Sequence, residues 1–300
     1  MTAHGGIHGA IVIGAGVAGL TAAAELAERG ITTALVDDGF LGGLITNVGK
    51  LEGVEGAAKS GPDLVNTLLE RALVAGADYR IGAISALHKD GALWQLPEQE
   101  VAASAIILAT GATLKQLDVP GEAELAGRGV SQCAFCDGGL YRGKDVLVVG
   151  GGDSAFQEAL HLAELCTSVT VAIRGGVPRA RAEFVERLKA HSNVYVRTGI
   201  NVRSIIGTDG VDAIRLYDQN SGSEKDHPIA AVFPFIGLAP QTGIAPSKAK
   251  RNADNALSVN ATMQTNLSGL YAIGASRANH GGTVADAVAD AVAAAEAIAS

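Results

Sequence analysis

Apolar residues follow two different rhythms along this chain. Ala10 to Ile13 is an unbroken apolar run, the pattern of a short strand buried on both faces. Gly14-Ala15-Gly16-Val17-Ala18-Gly19 follows at once. Leu20 to Arg29, rich in Ala, Leu and Glu, predicts a helix stopped by Gly30. Ile31 to Val36 is again β-branched and apolar and ends at Asp37. Strand, glycine turn, helix and strand together make a βαβ unit. The succession recurs: Asp145–Val149 predicts a strand, Gly150 to Ala155 a glycine turn, Phe156 to Cys166 a helix, and Val169–Ile173 the next strand. One recurrence at long range means a duplicated domain rather than a solenoid.

The downstream halves match as well. Arg80 to Gln95 reads as strand, a turn at Lys89-Asp90-Gly91, and strand; the apolar run Ala105–Leu108 and Thr110-Gly111-Ala112 follow. In the second copy, Val194 to Leu216 turns at Thr208-Asp209-Gly210 and leads to Ala230–Phe235 and Ile236-Gly237. Asp-Gly between alternating apolar runs signals a hairpin. Each copy is therefore expected to be a parallel sheet with a small antiparallel insertion. Leu117 to Glu122 and Leu238-Ala239-Pro240 read as boundary loops. Residues 1–115 and 239–300 should form one domain, and 116–238 a second one inserted into it. Gly269 to Gly274 predicts a late strand of the outer domain, and Thr283–Ala299 its closing helix. The fold class expected is α/β, with two Rossmann-like dinucleotide-binding domains of three-layer ββα architecture.

Composition narrows the partners. With 300 residues, 48% of them hydrophobic and 18% charged, the chain has material for a real core. A net charge of −8 argues against a nucleic-acid partner. The apolar stretch Ala10–Ala27 is broken by glycines, contains Glu25 and has no basic segment before it, so neither an export signal nor a membrane span is expected. The cytoplasm is the default location. Three cysteines cannot build a disulfide scaffold. Two of them, Cys133 and Cys136, are spaced for redox or metal chemistry.

The first glycine motif fits a dinucleotide. Gly14 serves the tight turn, Gly16 lets a pyrophosphate approach the backbone, and Gly19 lets helix and strand pack closely. Asp37 stands where a ribose diol would need an acceptor. In the second motif, Ala155 takes the third glycine's place, and the strand that should end in an acid ends Ile173-Arg174, with Arg179, Arg181, Arg187 and Lys189 beyond. A missing carboxylate beside a guanidinium favours a 2′-phosphate, hence NADP over NAD; a solvated basic helix face is the plainer alternative. For Cys133-Ala134-Phe135-Cys136-Asp137 a structural zinc would need four ligands, and only Cys166 remains, inside the predicted helix and read as core. A redox dithiol and a pair of inert thiols stay open. Asp137 fits either proton transfer at a departing sulfur or a helix cap. His280, in a glycine-rich loop, reads as a loop residue.

Taken together, these residues resemble the low-molecular-weight thioredoxin reductases over nearly the whole chain. The marks are Gly14–Gly19, Gly42-Gly43, Thr110-Gly111-Ala112, Cys133–Gly138, Gly150–Ala155, Arg174, Arg179, Ile236-Gly237 with Pro240, and Gly269–Gly274. The resemblance implies an outer domain that binds FAD through Gly14, Gly16, Val17, Ala18, Gly19, Asp37, Asp38, Gly43, Leu44, Asn47, Thr110, Gly111, Gly274, Ala275, Thr283 and Val284. It implies an inserted domain that binds NADPH through Gly150, Gly152, Asp153, Ser154, Ala155, Arg174 and Arg179. Cys133 and Cys136 become the redox pair and Asp137 its acid/base; no metal is expected. Hydride passes from NADPH to the flavin, electrons pass on to the disulfide, and a thioredoxin-like protein or small disulfide is reduced last, by a homodimer. The chain departs from the pattern at Ala275, where the family has Asp, and at Leu44, where it has Gln. It departs again at Gly282-Thr283-Val284 and at Gly175. The weakened basic site motivates an alternative, an FAD-dependent oxidase of small dithiols that uses oxygen and no NADPH. A third reading is a non-enzymatic module with a decayed flavin grip.

Overall fold

The computed structural model describes residues 6–51 and 59–300. The chain opens with β1 (Gly6–Ile13), α1 (Val17–Glu28) and β2 (Thr33–Asp37). β1 pairs with β2 in parallel, and all five residues of β2 are buried, as a central strand covered on both faces requires. Helix α1 starts three residues earlier than its alanine-rich stretch predicts, because the glycine turn itself supplies the first turn. Helix α2 (Gly61–Val74) has no counterpart in the pattern reading. It opens on a capping box between Ser60 and Asp63, with Pro62 in the first turn.

β3 (Asp78–Ile81) extends the sheet at one edge. At the other, β4 (His88–Asp90) and β5 (Leu93–Leu96) form the expected hairpin and run antiparallel into β6 (Val101–Leu108). After β7 (Ala112–Leu114) the second sheet begins. Short α3 (Ala134–Asp137) precedes β8 (Asp145–Val149), α4 (Asp153–Ala163), β9 (Ser168–Ile173), α5 (Ala182–Lys189) and β10 (Val194–Thr198). A separate antiparallel sheet of β11 (Ile200–Gly207), β12 (Val211–Asp218) and β13 (Ser223–Pro228) follows. β14 (Ala231–Pro234) returns to pair with β8, giving the parallel order β10-β9-β8-β14. β15 (Leu238–Pro240) pairs with β7, and β16 (Leu270–Ala272) and α6 (Val284–Ala299) complete the chain.

The two insertions differ. The first hairpin continues the main sheet, because β6 shares one edge: β5 lies antiparallel to Val101–Ala103 and β16 parallel to Ile106–Leu108. In the second copy, Val194–Thr198 joins the parallel sheet, and the hairpin around residues 208–210 pairs instead with β13. Ile205, Ile214 and Leu216 of that small sheet bury against Leu147, Val149 and Val232 of the parallel one. Helix α4 ends at Ala163, so Cys166 lies just beyond the helix expected to contain it, and is buried and unpaired.

By backbone packing the chain divides into two compact units, Met1–Thr113 with Ala239–Ser300, and Leu114–Leu238. The first buries α1 between the sheet and α6; Leu20, Leu26, Ala291 and Ala294 are fully enclosed. The second buries Phe156 and Phe233 across its parallel sheet. Among the described residues no helix is long and apolar enough to cross a membrane.

Candidate active site

The outer glycine turn is held from several sides. Gly14 has φ +102°, and a Cβ there would lie 2.4 Å from the Ala109 carbonyl oxygen. A Cβ on Gly19 would lie 1.8 Å from the Gly14 oxygen, so α1 seats directly on the turn. Gly16 is the opposite case: a Cβ there would meet only the Gly42 oxygen, at 3.7 Å. No side chain caps α1, and its first turn holds no acid. The backbone N–H groups of Val17, Ala18 and Gly19 are therefore left for an anion, with the helix dipole behind them.

Asp37 closes β2. Its carboxylate accepts from the Ala15 N–H and the Gly39 N–H, both at 2.8 Å, and is buried. It braces the turn from behind, and its remaining lone pairs are the ones a ribose diol could use. Asp38 is exposed beside it. The Gly42 N–H donates to the Ala15 oxygen at 2.8 Å, which sets Gly43, Leu44 and Asn47, on a short 3₁₀ turn, beside the glycine loop. The Thr110 hydroxyl bonds the Gln241 carbonyl, and Gly111 turns the chain at φ +66°. Gly274 backs onto Ala18, where a Cβ would come within 3.0 Å of the Ala18 methyl. These residues follow the carboxyl ends of β1, β2, β6 and β16, where open α/β sheets bind ligands.

Beyond Gly274 the structure holds a carboxylate that sequence reasoning missed. Ala275 is half-buried and brings no polar group. Asp290, on α6, accepts from the Gly274 N–H at 3.0 Å and takes Arg277 in two bonds of 2.7 Å; His280 Nδ1 lies 3.4 Å away. Burial alone would raise its carboxyl, but His280, Arg277 and the Gly274 N–H outweigh burial and pull it down to about 2. This carboxylate is committed to fastening the 274–280 loop. Its signal in the sequence is faint: Asp286 and Asp290 one helical turn apart in an alanine-rich helix. Asp286 makes a capping box with Thr283, so the Thr283 hydroxyl serves its own helix and Val284 is the first residue inside it.

In the second unit Gly150 has φ +149°, with the Phe235 oxygen 2.2 Å from where a Cβ would sit. Gly152 caps α4 without a side-chain bond, and a Cβ there would meet nothing within 4 Å. Asp153 opens α4, but its two oxygens accept from the Arg181 N–H and Nε, each at 2.7 Å, so its charge is compensated. Ser154 is exposed and Ala155 fully buried. Arg174, just past β9, and Arg179 are exposed; the Arg179 backbone N–H donates to the Gly151 oxygen at 2.7 Å. A dinucleotide fits both turns: each has an open glycine at the helix start and uncapped N–H groups.

Cys133 and Cys136 are joined as a disulfide, with Cα atoms 5.3 Å apart. Cys136 is exposed and Cys133 buried. Cys133 caps α3, its Sγ accepting the Cys136 N–H at 3.0 Å. Ser131, also missed in the sequence, links the two ends of the motif. Its Oγ accepts the Cys133 N–H at 3.1 Å and donates to Asp137 Oδ2 at 2.6 Å. Asp137 therefore does not cap the turn that follows it; its side chain makes no such bond. Phe135, 49% exposed, and Leu140, 76% exposed, flank the pair. Among the described residues, no group of three or more His, Cys, Asp or Glu is arranged to hold a metal ion.

The family model described as pyridine nucleotide-disulphide oxidoreductase matches residues 9–294. The thioredoxin reductase of Bacillus subtilis is 34% identical over 272 residues, 89% of this chain and 86% of that one. The bifunctional thioredoxin reductase/thioredoxin of Mycobacterium leprae is 34% identical over 279 residues, 91% of this chain but 61% of that longer one. The solved thioredoxin reductase of Lactococcus lactis superposes with a TM-score of 0.93 at 28% identity, covering 97% of both chains. The chain belongs to the pyridine nucleotide-disulphide oxidoreductase family and is an FAD-dependent disulfide oxidoreductase of the thioredoxin reductase type.

Proposed function

We propose that the protein reduces the disulfide of a thioredoxin-like protein or of a small molecule, drawing electrons from NADPH. Residues 1–115 and 239–300 are the FAD-binding domain in this reading, and 116–238 the NADPH-binding domain that carries the dithiol. The Gly14–Gly19 turn would hold the FAD pyrophosphate and Asp37 its ribose. Gly43, Leu44, Asn47, Thr110, Gly111, Gly274 and Ala275 would line the rest. Gly150 to Ala155 would hold the NADPH pyrophosphate, with Arg174 and Arg179 at the 2′-phosphate. When bound, FAD supplies the two-electron relay between nicotinamide and disulfide.

The chain's own residues do the sulfur chemistry. Reduction opens the S–S bond, and a proton must reach one sulfur while the other waits as a thiolate. Asp137 holds that proton at Oδ, adjoining Cys136 in sequence and oriented by Ser131. The returning thiolate then attacks the partner disulfide, which meets the pair at the apolar surface of Phe135 and Leu140. The enzyme acts in this reading as a cytoplasmic homodimer, with no nucleic acid and no membrane partner.

The observation that carries the proposal is the Cys133–Cys136 disulfide, exposed through Cys136 and linked to Asp137 through Ser131. Anaerobic addition of NADPH to the holoenzyme should bleach the flavin, and Cys133→Ser and Cys136→Ser should each abolish disulfide reduction. Flavin left oxidised by NADPH would sink the reading. The reductase relatives do not favour the oxidase alternative; steady oxygen uptake with a small dithiol alone would revive it.

A further inference from the structure

Helix α4 turns one carboxyl group toward the dithiol motif. The dithiol turn packs on α4, with the Phe135 ring against His161 and Gly138 against Leu162, and the backbone N–H groups of Ala134 and Phe135, the two residues between the cysteines, act on the Glu158 carboxyl. Its Oε2 is sealed from solvent and has no hydrogen-bond partner. The next N–H along, that of Cys136, goes to Cys133 Sγ at 3.0 Å. Carboxylate and sulfur thus draw on one short run of donors. An unpartnered carboxylate oxygen in a sealed position is costly when ionised and much less so when protonated.

The redox step changes this balance. The disulfide sulfurs are neutral. Two electrons break the S–S bond; one sulfur takes a proton and the other remains a thiolate. That new charge lies beside the same N–H run that Glu158 uses. Two negative charges at close range cannot both remain cheaply, so one takes a proton from solvent.

We propose that Glu158 is a positioning residue of the dithiol, holding the 134–136 turn and taking up a proton when the disulfide is reduced. This deepens the reductase reading and rests on it. The carboxyl is already poised for the part: burial, opposed only by the two N–H groups, pushes it up to about 7. Charged and titratable groups on the elements packed against α4 are Asp137 on α3, Asp145 at the head of β8, and Glu183, Glu186, Arg187 and Lys189 on α5, with Asp153 and His161 on α4 itself. None of them contributes to that shift. His161 instead meets the Phe135 ring at 5.9 Å between centroids.

The test equilibrates the holoenzyme with dithiothreitol and its disulfide from pH 6 to 8 and counts free thiols by alkylation and mass spectrometry. Glu158→Gln keeps an acceptor oxygen for the Ala134 and Phe135 N–H groups but cannot titrate. Relative to Glu158→Gln, the wild-type preference for the reduced pair should fall about fivefold across this range, the effect of one unit of coupling between carboxyl and thiolate. Parallel curves for the two proteins would overturn the role of Glu158 and leave the reductase reading intact. A pair that never exchanges with dithiothreitol in either protein would overturn both. Should Glu158→Gln not fold, infrared difference spectra of the wild type at pH 7 decide the matter. Reduction should add a protonated-carboxyl band, and its absence would overturn the proposal.

Discussion

The two glycine turns share a plan and are built to different tolerances. The outer turn is braced on every side but one. Gly14 presses on Ala109, Gly19 on Gly14, and Asp37 bonds Ala15 from beneath, leaving only the face of Gly16 open. The inner turn is fixed at Gly150 and Gly151, whose carbonyl takes the Arg179 and Ala180 N–H groups, and is open on the side of Gly152. Gly152 faces empty space, Ala155 fills the third position with a methyl, and the charges around it, Arg174, Arg179 and the Asp153–Arg181 pair, sit in solvent. A cofactor held through every catalytic cycle calls for the first construction. A nucleotide that must come and go each cycle calls for the second, in which surface charge sets arrival and specificity more than permanent grip.

Five substitutions would break or sharpen this contrast. Gly19→Ala should be the most damaging, since its methyl would have to displace backbone; we expect loss of bound flavin and about 3 kcal/mol of stability by overpacking, read from flavin absorbance and chemical denaturation. Gly152→Ala, at the open glycine of the inner turn, should keep the melting profile. An equal loss of stability in both would refute the contrast. Arg277→Leu comes next. It leaves Asp290 buried without the guanidinium that bonds both its oxygens, at roughly 3 kcal/mol. Because the folded Asp290 carboxyl titrates near 2 against about 3.9 when unfolded, its contribution is present above about pH 4 and lost as the pH falls through 2. Wild type and variant should therefore converge in stability toward pH 2, and a constant gap would show that the loss has another origin.

Asp37→Asn should cost about 1–2 kcal/mol, because one of the two N–H groups it holds loses its acceptor. Flavin should also wash out more easily, which dialysis would register. The smallest free-energy change belongs to Arg174→Ala: a KM for NADPH raised about tenfold, or about 1.4 kcal/mol, with KM for NADH and the thermal midpoint unchanged. An unaltered KM for NADPH would move the 2′-phosphate site away from Arg174.

The βαβ units, both glycine turns and the cysteine pair were legible because each has a local cause: a run of apolar residues, a required φ, a fixed spacing. What stayed hidden was made by tertiary contact. Asp290 looked like one more polar residue on a helix until the 274–280 loop folded over it, and Glu158 reads as an ordinary helical glutamate. Ser131 carries no motif of its own; only the curl of residues 131–137 brings its hydroxyl to Asp137. Helix α5 was obscured for a different reason. Its basic residues were readable either as a 2′-phosphate site or as a solvated basic helix face; in the structure Arg187 on the helix and Arg181 at its N-cap lie over the Phe184 ring, and Arg181 also pairs with Asp153. The second hairpin was assigned a strand too many, because Val194–Thr198 has the same β-branched composition whether it lies in the parallel sheet or the small one.

Cys166 lies just beyond α4, enclosed, and burial pushes its thiol up. A sulfur that stays protonated is a poor nucleophile, so peroxide or a stray mixed disulfide finds only one reactive couple on this molecule. Oxidation that closes Cys133 and Cys136 on each other is undone by the same electron flow that drives the reaction, and a competing disulfide from a third cysteine to either working sulfur is kept away.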